Sequence, residues 1–160
     1  MVNNRKVTFM YQRILVPMDG SDTATRGLRE GMRLAKDQHA KLRLIHVINE
    51  LMVVAAYEGT VYSGELLEVL RENGKAILSK AEATVTAAGL QVESAVLEAH
   101  GGHAGDAIAK DAAQWPADII VLGTHGRRGI ARLLMGSDAE QVIRQATVPV
   151  LLVKTENSHK

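Results

Sequence analysis

The sequence predicts a doubly wound α/β domain, a five-stranded parallel sheet with helices on both faces. Three observations carry this. Five short apolar runs alternate with four segments whose apolar residues recur at helical spacing, the order expected of strands joined by crossover helices. The chain has 160 residues, 46% of them hydrophobic, which is the size of one domain able to bury roughly 68–70% of its unfolded surface. A glycine-rich segment follows the fourth apolar run, where sheets of this kind take ligands, beyond the carboxyl ends of their strands.

Each element has its own justification. Arg13–Met18 (RILVPM), closed by Asp19-Gly20-Ser21, and Lys41–Val47 (KLRLIHV) read as the first two strands. Between them Ala24, Leu28, Met32 and Ala35 repeat at helical spacing, and Ser21 or Asp22 stands where a cap accepts from the first-turn N–H groups. Gly27 and Gly31 weaken that helix by roughly 1 kcal/mol each relative to Ala, so they are expected where its backbone lies close to the sheet. Glu50 to Gly64 lacks periodicity and reads as a loop. From Glu65 to Ala88 the residues Leu66, Leu70, Ile77, Ala81, Val85 and Ala88 trace one helical face, with Gly89 as the stop. Leu90–Leu97 is the third strand, Ala104–Gln114 a short Ala-rich helix, Asp118–Leu122 the fourth strand, Ser137–Gln145 the last helix and Val148–Val153 the fifth strand. Pro149 near its start favours a sheet edge or the first residues of a strand. Residues 1–10 form an N-terminal extension, 11–154 the domain and 155–160 a polar tail.

Composition narrows the function. Without cysteine there are no disulfides, thiolate metal sites or thiol nucleophiles. Nineteen basic and eighteen acidic residues leave a net charge of +1, and aromatics are 3%; neither a global field nor a base-stacking platform supports nucleic-acid binding. Met1 to Met10 lacks the apolar core of a secretory signal, and runs such as Ile119–Leu122 fall far short of the ~18 residues of a membrane span. The expectation is a soluble cytoplasmic protein with no membrane or nucleic-acid partner.

Two strand ends carry chemistry. The first strand ends in Pro17-Met18-Asp19-Gly20-Ser21, placing a carboxylate beside a turn. The fourth ends in Gly123-Thr124-His125-Gly126-Arg127-Arg128-Gly129, and Gly136-Ser137 completes a G-x2-G-x9-G-S spacing. Such glycines let backbone N–H groups approach an anion, and Ser137 opens a helix whose positive end favours one. Arg127, Arg128 and Arg132 add basic charge, and His125 either contacts phosphate or shapes the loop. Structural readings compete: Ser137-x-x-Glu140 fits a capping box, and Asp19 fits a residue that orders its own turn. His100-Gly101-Gly102-His103, with Asp106 nearby, lacks the rigid spacing and third ligand of a zinc site and reads as a loop, one that can still border the ligand because it follows a strand's C-terminal end; His46 belongs to the sheet. A GxxxxGK[ST] loop and an early GxGxxG are both absent.

VPMDGS after the first strand, LIHV in the second and above all VLGTHGRRGIARLLMGS followed by VPVLLV make the chain resemble the universal stress protein family, specifically its nucleotide-binding branch, over Tyr11 to Lys154. The resemblance implies strand order 3-2-1-4-5 and a dimer joined through the last strand. It implies ATP or AMP as a regulatory ligand, possible company from Mg²⁺ or Mn²⁺, and a downstream protein partner that the sequence does not name. Pro17 and Asp19 then meet the adenine and ribose, Val47 lies against the adenine, and Leu122 and Gly123 border the nucleoside. Gly126, Arg127, Gly136 and Ser137 hold the phosphates, with His125 beside them. Asp138 departs from the family's usual small apolar residue, and three roles stay open to it: repelling phosphate, helping to hold a cation, or occupying a favourable first turn. A slow ATPase and an interaction module with a vestigial glycine loop are the alternatives. For hydrolysis, Asp19, His125 and Asp138 form no compelling constellation.

Overall fold

The computed structural model describes residues 10–49, 64–99, 102–124 and 136–154. The strands are β1 (Arg13–Pro17), β2 (Lys41–Asn49), β3 (Val92–Ala99), β4 (Ile119–Gly123) and β5 (Val150–Val153); the helices are α1 (Asp22–Gln38), α2 (Gly64–Ala87), α3 (Ala104–Gln114) and α4 (Ser137–Gln145). All pairings are parallel and the order is β3-β2-β1-β4-β5, so the winding reverses between β1 and β4 as expected. Most of the loop expected at Glu50 to Gly64, the His100-Gly101 pair and residues 125–135 lie outside the described residues.

Alternation along β1 explains the layers. Ile14 and Val16 face one side with Leu42, Leu44 and Val121, where Leu28 and Ala35 of α1 and Leu78 and Val85 of α2 cover them. Leu15 faces the other side with Ile45, Ile120 and Leu122, beneath Ile108 of α3 and Val142 of α4. Strands buried on both faces need continuous apolar runs, which is why β1 and β4 show no polar alternation. Among the described residues no helix is long and apolar enough to cross a membrane.

Ser21 caps α1, its Oγ accepting from the Ala24 N–H at 3.1 Å. The two α1 glycines do lie on the sheet: a Cβ on Gly31 would fall 2.9 Å from Val16 Cγ2, and one on Gly27 3.3 Å from the Gly123 nitrogen. Element ends depart from expectation in physically simple ways. β3 starts at Val92 rather than Leu90 because the Leu90 N–H returns to the Val85 carbonyl at 3.3 Å, closing the end of α2. β5 starts at Val150 rather than Val148; Pro149 gives the ladder only its carbonyl, which accepts from the Ile120 N–H at 3.0 Å. β2 runs on to Asn49, and β4 spans Ile119–Gly123 because Asp118 turns its carboxylate to the Gln12 and Arg13 N–H groups, both at 2.8 Å.

Candidate functional site

The carboxyl ends of β1 and β4 flank the switch point, and the segments leaving them hold most of the expected site residues. Pro17, half-buried, ends β1. Asp19 lies in the turn that follows, where Gly20 takes a positive φ of 82° and Asp19 Oδ1 accepts from the Ser21 N–H at 2.9 Å. Ordering its own turn is therefore one function Asp19 performs. Val47 packs, half-buried, against the apolar layer beneath α3 and α4, and Leu122 is buried in that layer. Gly123 ends β4 so close to α1 that a Cβ would stand 2.6 Å from the Thr23 carbonyl oxygen, a packing reason for this glycine beside any ligand role.

Thr124, buried, ties the site to the far edge: its N–H donates to the Val153 carbonyl and its carbonyl accepts from the Gly136 N–H, both at 3.1 Å. The residues flanking 125–135 thus meet at one point on the sheet edge. His125, Gly126 and Arg127, with Arg128 and Arg132, fall inside that span and lie outside the described residues. Gly136 is the N-cap of α4 (φ −61°, ψ 149°) and, as a glycine, brings no side-chain cap of its own. Ser137 is the first helical residue instead of the cap, so the expected Ser137–Glu140 capping box does not form. A box needs its hydroxyl one position earlier. Among the described residues no side chain bonds the first-turn N–H groups of α4, which open at the edge of the sheet.

Asp138 sits in that first turn. Although solvent reaches it, enough protein surrounds its carboxyl for desolvation to push the pKa above the ordinary value; His103 draws it down and the negative charge of Asp19 pushes it up. These three side chains come from the segments after β1, β3 and β4, which places them together at the ligand edge. His103 is the N-cap residue of α3 but makes no side-chain cap hydrogen bond. The place of the His100–His103 loop after a strand end is the signal that it borders the ligand edge, and His103 lies there, near Asp138. Gly105 is the residue that sequence reasoning missed. A Cβ there would lie 2.4 Å from Gln141 Cβ and 2.7 Å from the Asp138 carbonyl oxygen, so the starts of α3 and α4 meet in close contact. Asp106 Oδ1, one residue on, is buried without a hydrogen-bond partner. Among the described residues no three His, Asp or Glu side chains converge as a metal site.

Comparison with known proteins places this geometry. The profile of the universal stress protein family matches residues 10–154. The chain belongs to that family. Universal stress protein MJ0531 of Methanocaldococcus jannaschii is 34% identical to it over 148 residues, covering 91% of this universal stress protein and 83% of the relative. The solved structure of MJ0577, from the same organism, has a TM-score of 0.81 at 30% identity, covering 93% and 99% of the two chains. A universal stress protein of Archaeoglobus fulgidus, solved in complex with dAMP, has a TM-score of 0.64 at 26% identity and covers 91% and 99%.

Proposed function

We propose that this universal stress protein binds an adenine nucleotide, ATP or AMP, as a regulatory ligand in the stress response, and acts in the cytoplasm as a homodimeric switch or scaffold joined along β5. The observation that carries the reading is the start of α4, with glycine at its N-cap and no capping side chain among the described residues, opening at the switch point beside the Asp19 turn. Helix N-termini of this kind attract phosphate through unpaired N–H groups and the helix dipole. The phosphates would be held by Gly136, Ser137 and the backbone that follows, with His125, Gly126 and Arg127 of the glycine-rich segment. Pro17, Asp19, Val47, Leu122 and Gly123 would border the nucleoside. The dAMP bound by the A. fulgidus relative has the chemistry this arrangement suits. A divalent ion, Mg²⁺ or Mn²⁺, would arrive on the phosphates and find Asp19 or Asp138 as its protein ligand.

The dimer reading rests on β5, an edge strand with one side paired to β4, where Leu151 is 37% exposed. Apolar edges of this type invite a second strand. A nucleotide acts as a switch on such a dimer only through different affinities for two arrangements.

The test is the nucleotide content of protein purified without added ligand, read by mass, with Gly136→Val beside it. Gly136 has φ −61°, which Val also adopts, so the variant should fold while its side chain fills the phosphate approach. At least a hundredfold loss of affinity is expected by calorimetry, about 2.7 kcal/mol. Wild-type protein that carries no adenylate and gives no heat with ATP or AMP would end the reading; ADP released with turnover would convert it to an ATPase.

A further inference from the structure

His46 is a polar side chain 8% exposed in the middle of an apolar strand. Its Nδ1 lies 2.7 Å from the Met18 carbonyl oxygen, and because a carbonyl only accepts, Nδ1 carries the hydrogen. The paired register of β1 and β2 ends at Pro17 beside Ile45, and the last backbone link runs from the Met18 N–H to the Ile45 carbonyl at 2.7 Å. Beyond that point β1 turns away, and the imidazole meets the carbonyl as the ladder ends. That carbonyl belongs to the peptide group joining Met18 to Asp19. The group is planar, so fixing its C=O direction also fixes the Asp19 N–H and the entry into the turn. Gly74 of α2 holds the ring from above; a Cβ there would stand 2.7 Å from His46 Cδ2.

We propose that His46 is a positioning residue for the nucleotide site: its Nδ1–H orients the Met18–Asp19 peptide and thereby presents Asp19 to the ligand. The role rests on the nucleotide-binding reading, but the hydrogen bond and its effect on the turn exist without nucleotide and are testable separately.

His46→Asn and His46→Gln form the deciding pair. Both remove the ring and its packing beneath Gly74, but the Asn amide falls where Nδ1 was and the Gln amide falls near Nε2. His46→Asn should bind ATP or AMP within about threefold of wild type, and His46→Gln about tenfold more weakly. In an Asp19→Ala background the gap between the two should close, because the pathway through Asp19 is gone. Without nucleotide, ¹⁵N spectra should report the Nδ1–H tautomer of His46, and the Asp19, Gly20 and Ser21 amide shifts should move in His46→Gln and return in His46→Asn. Equal affinities for the Asn and Gln variants, or a tenfold gap that survives Asp19→Ala, would overturn the proposal. A wild type that binds no adenylate would sink the nucleotide reading instead, and the unliganded spectra would still decide whether His46 sets the turn.

Discussion

Where the strands begin, Arg43 of β2 donates from Nε and Nη2 to the two carboxylate oxygens of Asp111 at 2.7 and 2.8 Å, and from Nη1 to Glu93 at 2.7 Å. Lys41 pairs with the other oxygen of Glu93, and the guanidinium lies 5.9 Å from the Trp115 ring centroid. These contacts raise the Arg43 pKa, chiefly through Asp111, and hold the Glu93 carboxyl below its usual range, chiefly through Lys41. Where the strands end, Asp138 makes no ion pair, Asp106 Oδ1 has no hydrogen-bond partner and no side chain caps α4 among the described residues, and desolvation raises the Asp138 pKa where Glu93 is lowered. One end satisfies its polar groups internally. The other holds Asp19, His46 and Thr124 in hydrogen bonds and Glu98 against Arg71 of α2, but leaves Asp138 without an ion pair and Asp106 Oδ1 without a partner among the described residues.

The sharpest way to break this contrast is Asp111→Ala. It takes the bidentate partner from a guanidinium whose side chain is 17% exposed and leaves it Glu93 alone, and losing hydrogen bonds to a charged group costs about 2–3 kcal/mol. Urea unfolding should show that loss, while nucleotide affinity stays within about twofold of wild type. A parallel fall in affinity would mean that the two ends are not separable.

Gly105→Ala should join what Asp111→Ala keeps apart. Its Cβ would collide with Gln141 Cβ and the Asp138 carbonyl, and overpacking of this kind costs about 2 kcal/mol. Because the displaced element is the start of α4, affinity should fall severalfold together with stability. Gly102→Ala, whose Cβ meets nothing nearer than Asp106 Oδ2 at 3.9 Å, is the control and should leave both unchanged. An affinity unmoved by Gly105→Ala would place the phosphate site away from α4.

The contrast also separates what sequence reveals from what it hides. Periodicity exposes the strands and helices because each apolar residue reports its own burial, and the α1 glycines are legible because they break a helix that otherwise obeys the pattern. Gly74, inside α2, gives the same signal and touches His46, whereas Gly105 sits in the first turn of α3, where a glycine breaks no periodic run and nothing local records its contact with Gln141. The Ser137–Glu140 box fits as a pattern and fails in space, since one residue of register decides which side chain is the cap. Likewise His46 is legible as a strand residue, but its bond to Met18 spans 28 positions and depends on how β1 leaves the sheet.

The smallest expected effect bears on which of three roles Asp138 plays. Its folded-state pKa is raised, so the native protein holds that proton more tightly than the unfolded chain does. Stability from this group is full below the unfolded carboxylate value, near 3.9, and is lost as pH rises through the folded value. At neutral pH the ionised side chain therefore weakens the fold slightly, and Asp138→Asn should raise the urea midpoint by a margin that shrinks as pH falls. Without divalent ions, removing a negative charge beside the phosphates should tighten ATP binding two- to fivefold, the ~0.4–1 kcal/mol of a solvent-screened charge contact. Because a bound anion pushes the Asp138 pKa still higher, wild type should take up protons on binding and approach the affinity of the variant as the pH falls. Comparing the two proteins at each pH cancels the titration of the nucleotide itself. If excess Mg²⁺ reverses the order, so that Asp138→Asn binds ATP more weakly than wild type, the carboxylate is serving as a cation ligand; an order that Mg²⁺ leaves unchanged makes it a repulsive gate on the phosphate site.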